Sequence, residues 1–244
     1  MVNNKLSFWA GKRILVTGHT GFKGSWLMIW LKKLGAIVYG FSLSPQDDLN
    51  IFKSLPKDFF SEMIHHNIGD IRNRLTLEKI IKEAKPDIVF HLAAQPIVKI
   101  GYEEPINTWE TNLIGSLNLL QSLKDLNQSC SVVVVTTDKV YKNNEWVFGY
   151  REIDQLGGHD PYSASKAALE IAVSSWRDSF CMNNTQGLQI KIATARAGNV
   201  IGGGDWAPNR IVPDVIKSLI SGKELIIRNP DSTRPWQHVL EPLW

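Results

Sequence analysis

The sequence predicts an α/β protein built on a doubly wound parallel sheet, with a smaller C-terminal substrate lobe. Three observations predict it. From residue 13 onward, short apolar runs of strand length alternate with longer segments of helical period. The first run empties into a glycine-spaced turn, TGHTGFKG at 17–24. A Tyr and a Lys four positions apart, Tyr162 and Lys166, then follow Pro161, beyond the fifth apolar run.

Residues 13–16 (RILV) read as a buried strand. Residues 22–34 read as a helix with Leu27, Trp30, Leu31 and Leu34 on one face, stopped by Gly35. A second strand is expected over 36–41, a short third over 62–65, a helix over 76–84 and a fourth strand over 87–91. A long helix over 106–126 carries Leu113, Leu117, Leu120 and Leu123 at helical spacing before a fifth strand at 131–136. Pro161 announces a helix to Phe180, and 188–195 is the sixth strand. Near-continuous apolar strands separated by helices mean a parallel sheet covered on both faces, whose ligands sit at the carboxyl ends of its strands. After Ala195 the pattern changes to a Gly-rich loop (GNVIGGGDWAPN), a helix over 212–221, a strand over 224–227 and the stretch RPWQHV. The expected division is a Rossmann dinucleotide-binding domain over 1–198 and the first part of a substrate lobe over 199–244.

A chain of 244 residues can bury a substantial core. With 43% hydrophobic and 21% charged residues and no low-complexity tract, disordered and fibrous classes drop out. A formal charge of +3 with no basic block beyond Lys32-Lys33 gives no argument for nucleic acid. Cys130 and Cys181 stand alone, with neither a metal-ligand spacing nor a disulfide framework, so no metal is expected and a reducing compartment fits. The start lacks an apolar signal core and no eighteen apolar residues run together, so a cytoplasmic protein without a membrane segment is expected.

Gly18, Gly21 and Gly24 across a strand-to-helix turn permit close approach of backbone N–H groups to a pyrophosphate. The second strand ends Gly40-Phe41-Ser42, with no carboxylate for ribose hydroxyls and no Arg for a 2′-phosphate, so NAD is expected ahead of NADP. His19 and Lys23 in the turn either compensate or, for Lys23, stand solvated. Tyr162 and Lys166 share a helix face. A phenol of ordinary pKa about 10 acts as a base near neutrality only beside a cation, which Lys166 and an oxidised nicotinamide would supply. Thr137, Asp138 and Lys139 follow the fifth strand, where they point toward a cofactor's reactive end or merely form a turn.

Together TGHTGFKG, Asp70-Ile71, HLAAQP at 91–96, Asn112, TTDKVY, YSASK, GNVIGGGDW and RPWQHV resemble the extended short-chain dehydrogenase/reductases that act on nucleotide sugars. TGHTGFKGSWL, the Asp-Lys after Thr137 and RPWQHVLEPL resemble in particular their 4,6-dehydratase branch acting on CDP-glucose. The resemblance implies NAD held by Gly18, Thr20, Gly21, Phe22, Lys23 and Gly24, with Asp70 and Ile71 at the adenine and Leu92, Ala93 and Ala94 along the cofactor. It implies a catalytic set of Thr137, Asp138, Lys139, Tyr162 and Lys166, of which Tyr162 and Lys166 also touch NAD. Gln95, Asn199, Arg210 and Arg234 would contact the nucleotide sugar. Relatives place a Glu where this chain has Lys139. His91 reads equally as a strand end, Asn112 as a bridge to helix backbone, and Trp206 and Trp236 as core. The family continues beyond RPWQHV, so the lobe over 199–244 is expected to be incomplete. A homodimer through the two long helices is expected. Rival readings are a nucleotide-sugar 4-epimerase or reductase on the same fold, and a non-catalytic NAD-binding sensor.

Overall fold

The computed structural model describes residues 8–45, 49–60, 62–181, 189–227 and 230–244. Six parallel strands form one sheet in the order β3-β2-β1-β4-β5-β6. They are β1 Arg13–Thr17, β2 Ile37–Ser42, β3 Ile64–Ile68, β4 Ile88–His91, β5 Cys130–Val135 and β6 Ile190–Ala195. The order reverses between β1 and β4, which opens a crevice at their carboxyl ends. This is the doubly wound Rossmann sheet.

β1 sits at the centre because it is apolar on both faces. Leu15 packs into a cluster with Leu77, Ile81, Val89, Leu119, Leu120 and Leu169, while Ile14 and Val16 pack on the opposite face with Leu27, Met28 and Leu31. The helices supplying these contacts are α1 Phe22–Lys33, α2 Arg74–Ala84, α5 Gly115–Lys124 and α6 Pro161–Trp176, with the short α3 Val98–Glu103 and α4 Pro105–Trp109 coming between β4 and α5 in the chain. α2 starts where the Asn73 side chain accepts from Thr76 N at 3.1 Å, two residues before the predicted boundary. α6 starts on a capping box: Asp160 accepts from Ser163 N at 3.0 Å, and Ser163 Oγ accepts from Asp160 N at 3.3 Å. With Pro161 at the first helical position, that cap sets Tyr162 at the sheet's carboxyl edge.

Several elements differ from the sequence expectation. β3 runs from Ile64 to Ile68, because its register is set by pairing with β2 (Val38 with Ile64 through Ser42 with Ile68), while only its first residue is buried. The long helix over 106–126 is interrupted by a π-helical turn at Glu110–Ile114, which drives Asn112 fully inward. α6 likewise gives way to a π-turn at Arg177–Cys181, short of the predicted end. α3 has no counterpart in the prediction. It contains Gly101, where an added Cβ would sit 3.3 Å from Tyr162 N, so a small residue lets it pack on the start of α6. Leu188, predicted to open β6, and the first seven residues lie outside the described residues.

Beyond β6 come β7 Asn199–Ile201, α7 Ile211–Ser221, β8 Trp236–His238 and α8 Leu240–Leu243. β7 and β8 pair in parallel as a separate two-stranded sheet. The strand expected over 224–227 does not form. Those residues are exposed, Ile226 to 84%, and no described strand lies alongside to pair with their backbone. Buried Val239, together with Trp26 donating to Gly203 O at 2.9 Å and Trp30 stacked on Trp244 at 5.5 Å, fastens this small sheet to α1. Among the described residues no helix is long and apolar enough to cross a membrane.

Candidate active site

The crevice has two ends. At the first, Gly18 takes φ +77° and donates to Phe41 O at 2.8 Å, and a Cβ there would meet Ala93 N at 2.8 Å. A side chain at Gly24 would collide with Gly18 O, so α1 rests directly on the turn, whereas Gly21 is open except for Gly18 O at 3.3 Å. α1 has neither a side-chain cap nor an acidic residue in its first turn. Free N–H groups and the positive end of a twelve-residue helix are therefore left for an anion. The cradle fits the pyrophosphate of a dinucleotide.

Beyond the turn, Ser42 Oγ lies 2.8 Å from Thr20 Oγ1, which itself donates to Leu43 O at 2.9 Å. His19 does not reach outward. It is buried beneath Gly40, where a Cβ would strike the His19 ring, with Nε2 2.6 Å from His66 Nδ1. Burial, reinforced by His66, holds its pKa down to about 3. Lys23 is not a solvated lysine either: burial, then Arg210 and Lys139, lower it to about 8, with Asp138 and Asp205 opposing. It belongs electrostatically with the charges at the other end of the crevice, around Asp138 and Arg210. Asp70 is gripped by Arg72, which donates to Oδ2 at 2.6 Å and to Oδ1 at 3.0 Å, and these bonds hold its carboxyl below the usual range. Ile71 is buried under Gly115.

At the second end, β5 delivers Thr137, Asp138 and Lys139 opposite the first turns of α6. Tyr162 is 8% exposed and hydrogen-bonded to Thr137. Its phenol is pushed up chiefly by burial, with Thr137 and Arg210 opposing. The Lys166 ammonium donates to Val135 O at 3.1 Å. Among the protein's own groups, burial outweighs the cations near the phenol, and the sequence expectation joins Lys166 with an oxidised nicotinamide as the two positive charges. Lys166 is itself lowered to about 8 by burial and then Lys23, with Glu170 opposing. Thr137 donates to Asp138 Oδ1 at 3.1 Å, and Lys139 Nζ reaches the same oxygen at 3.3 Å and Asn199 Oδ1 at 3.5 Å.

Asp138 borders a cavity of about 230 Å³ with Gly198, Pro235, Trp236 and Gln237. Of the predicted substrate residues, Asn199 adjoins this site through Lys139, and Arg210 is held by Asp205 at 3.0 Å. Arg234 is exposed and donates to Thr233 O at 2.6 Å, so it is not among the lining residues. The Gln95 amide is committed locally, accepting from Ile97 N at 2.6 Å and donating to Thr108 Oγ1 at 2.9 Å. Trp236, readable from the sequence as core, is instead 44% exposed and lines this cavity, and Gln237 carried no predicted role. The only sequence signal was their place in RPWQHV, since a three-residue strand has no readable period.

A buried chain of polar groups links the two ends. Ser116 donates to Asn112 O at 2.7 Å and therefore accepts from His91 Nε2, also at 2.7 Å. His91 Nδ1 then accepts from Thr17 Oγ1 at 2.6 Å, and that hydroxyl accepts from Ala93 N at 3.2 Å. Asn112 continues the chain to Ser165 at 2.9 Å, and Ser165 donates to Tyr162 O at 2.7 Å.

Only a neutral His91 fits these bonds, and burial and Lys166 hold it at about 3 against an ordinary 6.5. The unfolded chain takes this proton at higher pH, so its contribution is complete above pH 6.5 and is lost as pH falls toward 3. At pH 5 the expected loss is about 2 kcal/mol, read as a lower denaturant midpoint than at pH 7. His91→Gln should lose that share of the pH dependence; an unchanged slope would contradict the assignment.

The chain matches the sequence profile of the family described as GDP-mannose 4,6 dehydratase over residues 15–242. It is 49% identical over 238 residues to the CDP-glucose 4,6-dehydratase of Salmonella typhimurium, covering 97% of this chain and 66% of that protein. The curated relatives it matches first are longer, and the chain spans 52% to 66% of their lengths. Among solved structures, it is similar to dTDP-glucose 4,6-dehydratase from Bacillus anthracis in complex with NAD, with TM-score 0.77 and 26% identity over 94% of this chain and 68% of that one. It is similar also to the epimerase Mth375 of Methanothermobacter thermautotrophicus, with TM-score 0.84 and 25% identity over all of this chain and 69% of that one.

Proposed function

The chain belongs to the GDP-mannose 4,6 dehydratase family, and on that premise we propose that it removes water from CDP-glucose to give CDP-4-keto-6-deoxyglucose, using bound NAD. One observation carries the dehydratase reading: an acid, Asp138, borders the cavity immediately beside the Thr137–Tyr162 pair. An epimerase needs the pair but not the acid. The cytidine nucleotide rests on the 49% identity to the Salmonella enzyme. NAD would lie on Gly18, Thr20, Gly21, Phe22, Lys23 and Gly24, along Leu92 to Ala94, with Asp70 and Ile71 at the adenine. Bound there, NAD would supply the hydride acceptor for oxidation at carbon 4 and the donor for reduction at carbon 6.

Tyr162 takes the proton of the sugar's 4-hydroxyl as carbon 4 is oxidised. The Thr137 hydroxyl, which points at Asp138 in the resting site, can turn to donate to the phenolate. The ketone so formed acidifies the proton on carbon 5. Lys139 and Asp138 already touch, and transfer of one proton from ammonium to carboxylate leaves an amine and a carboxylic acid. Those are the two states elimination requires: Lys139 removes the carbon 5 proton and Asp138 protonates the departing 6-hydroxyl, after which Lys139 returns its proton to carbon 5 and the proton that Tyr162 took from the 4-hydroxyl restores the ammonium.

Asn199 and Arg210 are assigned to the substrate, and 199–244 to the first part of its lobe. A homodimer is part of the proposal, supported by exposed Tyr102, Ile106, Ile114 and Ile171 along the neighbouring helices. The test is incubation with NAD or NADP and a panel of CDP-, dTDP-, GDP- and UDP-sugars, followed by mass. Loss of one water from CDP-glucose with NAD is expected; an isomer of unchanged mass would replace dehydration with epimerisation.

A further inference from the structure

Tyr162, Lys166 and Glu170 lie one turn apart on one face of α6, and each holds a different residue at the end of β5. Tyr162 bonds Thr137, Lys166 donates to Val135 O at 3.1 Å, and Glu170 Oε1 accepts from Thr136 Oγ1 at 2.5 Å. Glu170 is 6% exposed, so this is no solvated surface carboxylate. Arg196, one residue past β6, closes on it with two N–H bonds, at 2.8 Å to Oε1 and 3.1 Å to Oε2. The same guanidinium lies over the Tyr141 ring at 4.8 Å and donates to Glu152 O at 3.2 Å, so it also ties down the segment that follows the catalytic turn.

We propose that Glu170, backed by Arg196, is a positioning residue of the catalytic centre: it locks the end of β5 under Tyr162 and places a carboxylate one helical turn from the buried Lys166 ammonium. The charged and titratable groups facing Lys166 are Lys23 from the first turn of α1, neutral His91 from β4, and Tyr162 and Glu170 from its own helix. Glu170 is the one anion among them. Without it, Lys166 faces burial and Lys23 unopposed, and Arg196 becomes a further stranded cation nearby.

The test follows the lysine directly, by titrating ¹³Cε-labelled lysines of the full chain by NMR without ligand, with Lys166→Met to assign the signal. The parent midpoint is expected near 8. Glu170→Gln, which keeps a hydrogen bond for Thr136 but no charge, should lower it by about one pH unit or more. Glu170→Asp should return toward the parent. The double variant Glu170→Gln/Arg196→Gln strands no charge and should fall between parent and Glu170→Gln. A Glu170→Gln midpoint equal to the parent's overturns the proposal. If that variant does not fold, the double variant decides by the same criterion.

The catalytic half rests on the dehydration reading. In the water-loss assay the alkaline limb of kcat for Glu170→Gln should move down by the same interval, with KM within about twofold of the parent. A uniform fall at every pH, matching the fraction folded, would reduce Glu170 to a structural residue and overturn that half. A parent that dehydrates no nucleotide sugar sinks the dehydration reading instead, and the NMR titration still decides the proposal.

Discussion

Tyr162→Phe is expected to lower kcat for water loss about 10³-fold or more while leaving dinucleotide affinity nearly unchanged. The oxygen removed is the one that accepts the 4-hydroxyl proton in the proposed reaction, and nothing else at this end of the crevice can replace it. Lys166 donates to Val135 O, and Asp138 already receives Thr137 and Lys139. The pyrophosphate cradle of Gly18 to Gly24 lies on another element, so cofactor binding measured by calorimetry should survive. The fold should survive too. Thr137 has Asp138 Oδ1 as an acceptor at 3.1 Å, so loss of the phenol strands no buried hydroxyl, and the ring still packs at the start of α6 beside Gly101. A variant with substantial turnover would remove Tyr162 from the chemistry.

The sheet was legible because its interior strands are short, nearly continuous apolar runs. RILV, DIVFH and SVVVVT have little polar content, and β1, β4 and β5 occupy the middle of the sheet. β3, at the edge, carries His65, His66 and Asn67, and the sequence placed it too early. The π-turn around Asn112 was illegible for a different reason. It inserts one extra residue within an otherwise helical pattern, and its cause is tertiary: Asn112 Oδ1 accepts from Gln95 N at 2.8 Å, a partner seventeen residues away. The cofactor turn could be read from spacing because close backbone approach requires glycine at Gly18 and Gly24.

The substrate side could not be read in the same way. Its cavity joins Asp138 to Gly198, Pro235, Trp236 and Gln237, nearly a hundred residues on, through two strands of three residues each. Glu170 and Arg196 were likewise invisible. A Glu on a helix is ordinary until its partner just past β6 is known. The structure also reassigned roles by proximity. His19, from the glycine turn, went into the core beneath Gly40, while its neighbour Lys23 joined the charges around Asp138 and Arg210.

Asp138→Asn is expected to separate oxidation from elimination, because the carboxyl acts only after carbon 4 has become a ketone. The amide fills nearly the same volume and can still accept from Thr137 and Lys139, so the cavity wall it shares with Pro235 and Trp236 should hold its shape. What it cannot do is supply a carboxylic proton to the leaving 6-hydroxyl or relieve Lys139 of its own proton. Two contributions to the elimination step fail together, and water loss from CDP-glucose should fall about 10²- to 10⁴-fold. Tyr162, Thr137 and Lys166 are untouched, so the 4-ketone should still form and then wait. Borodeuteride quenching of the variant at enzyme concentrations comparable to substrate should trap it as CDP-hexose one mass unit heavier, epimeric at carbon 4, in amounts the parent does not give. An epimerase has no elimination for Asp138 to serve; its variant would interconvert the 4-hydroxyl at near-parent rate. Unimpaired dehydration by the variant would return Asp138 to the role of a turn-forming carboxylate, leaving Lys139 without the partner that takes its proton.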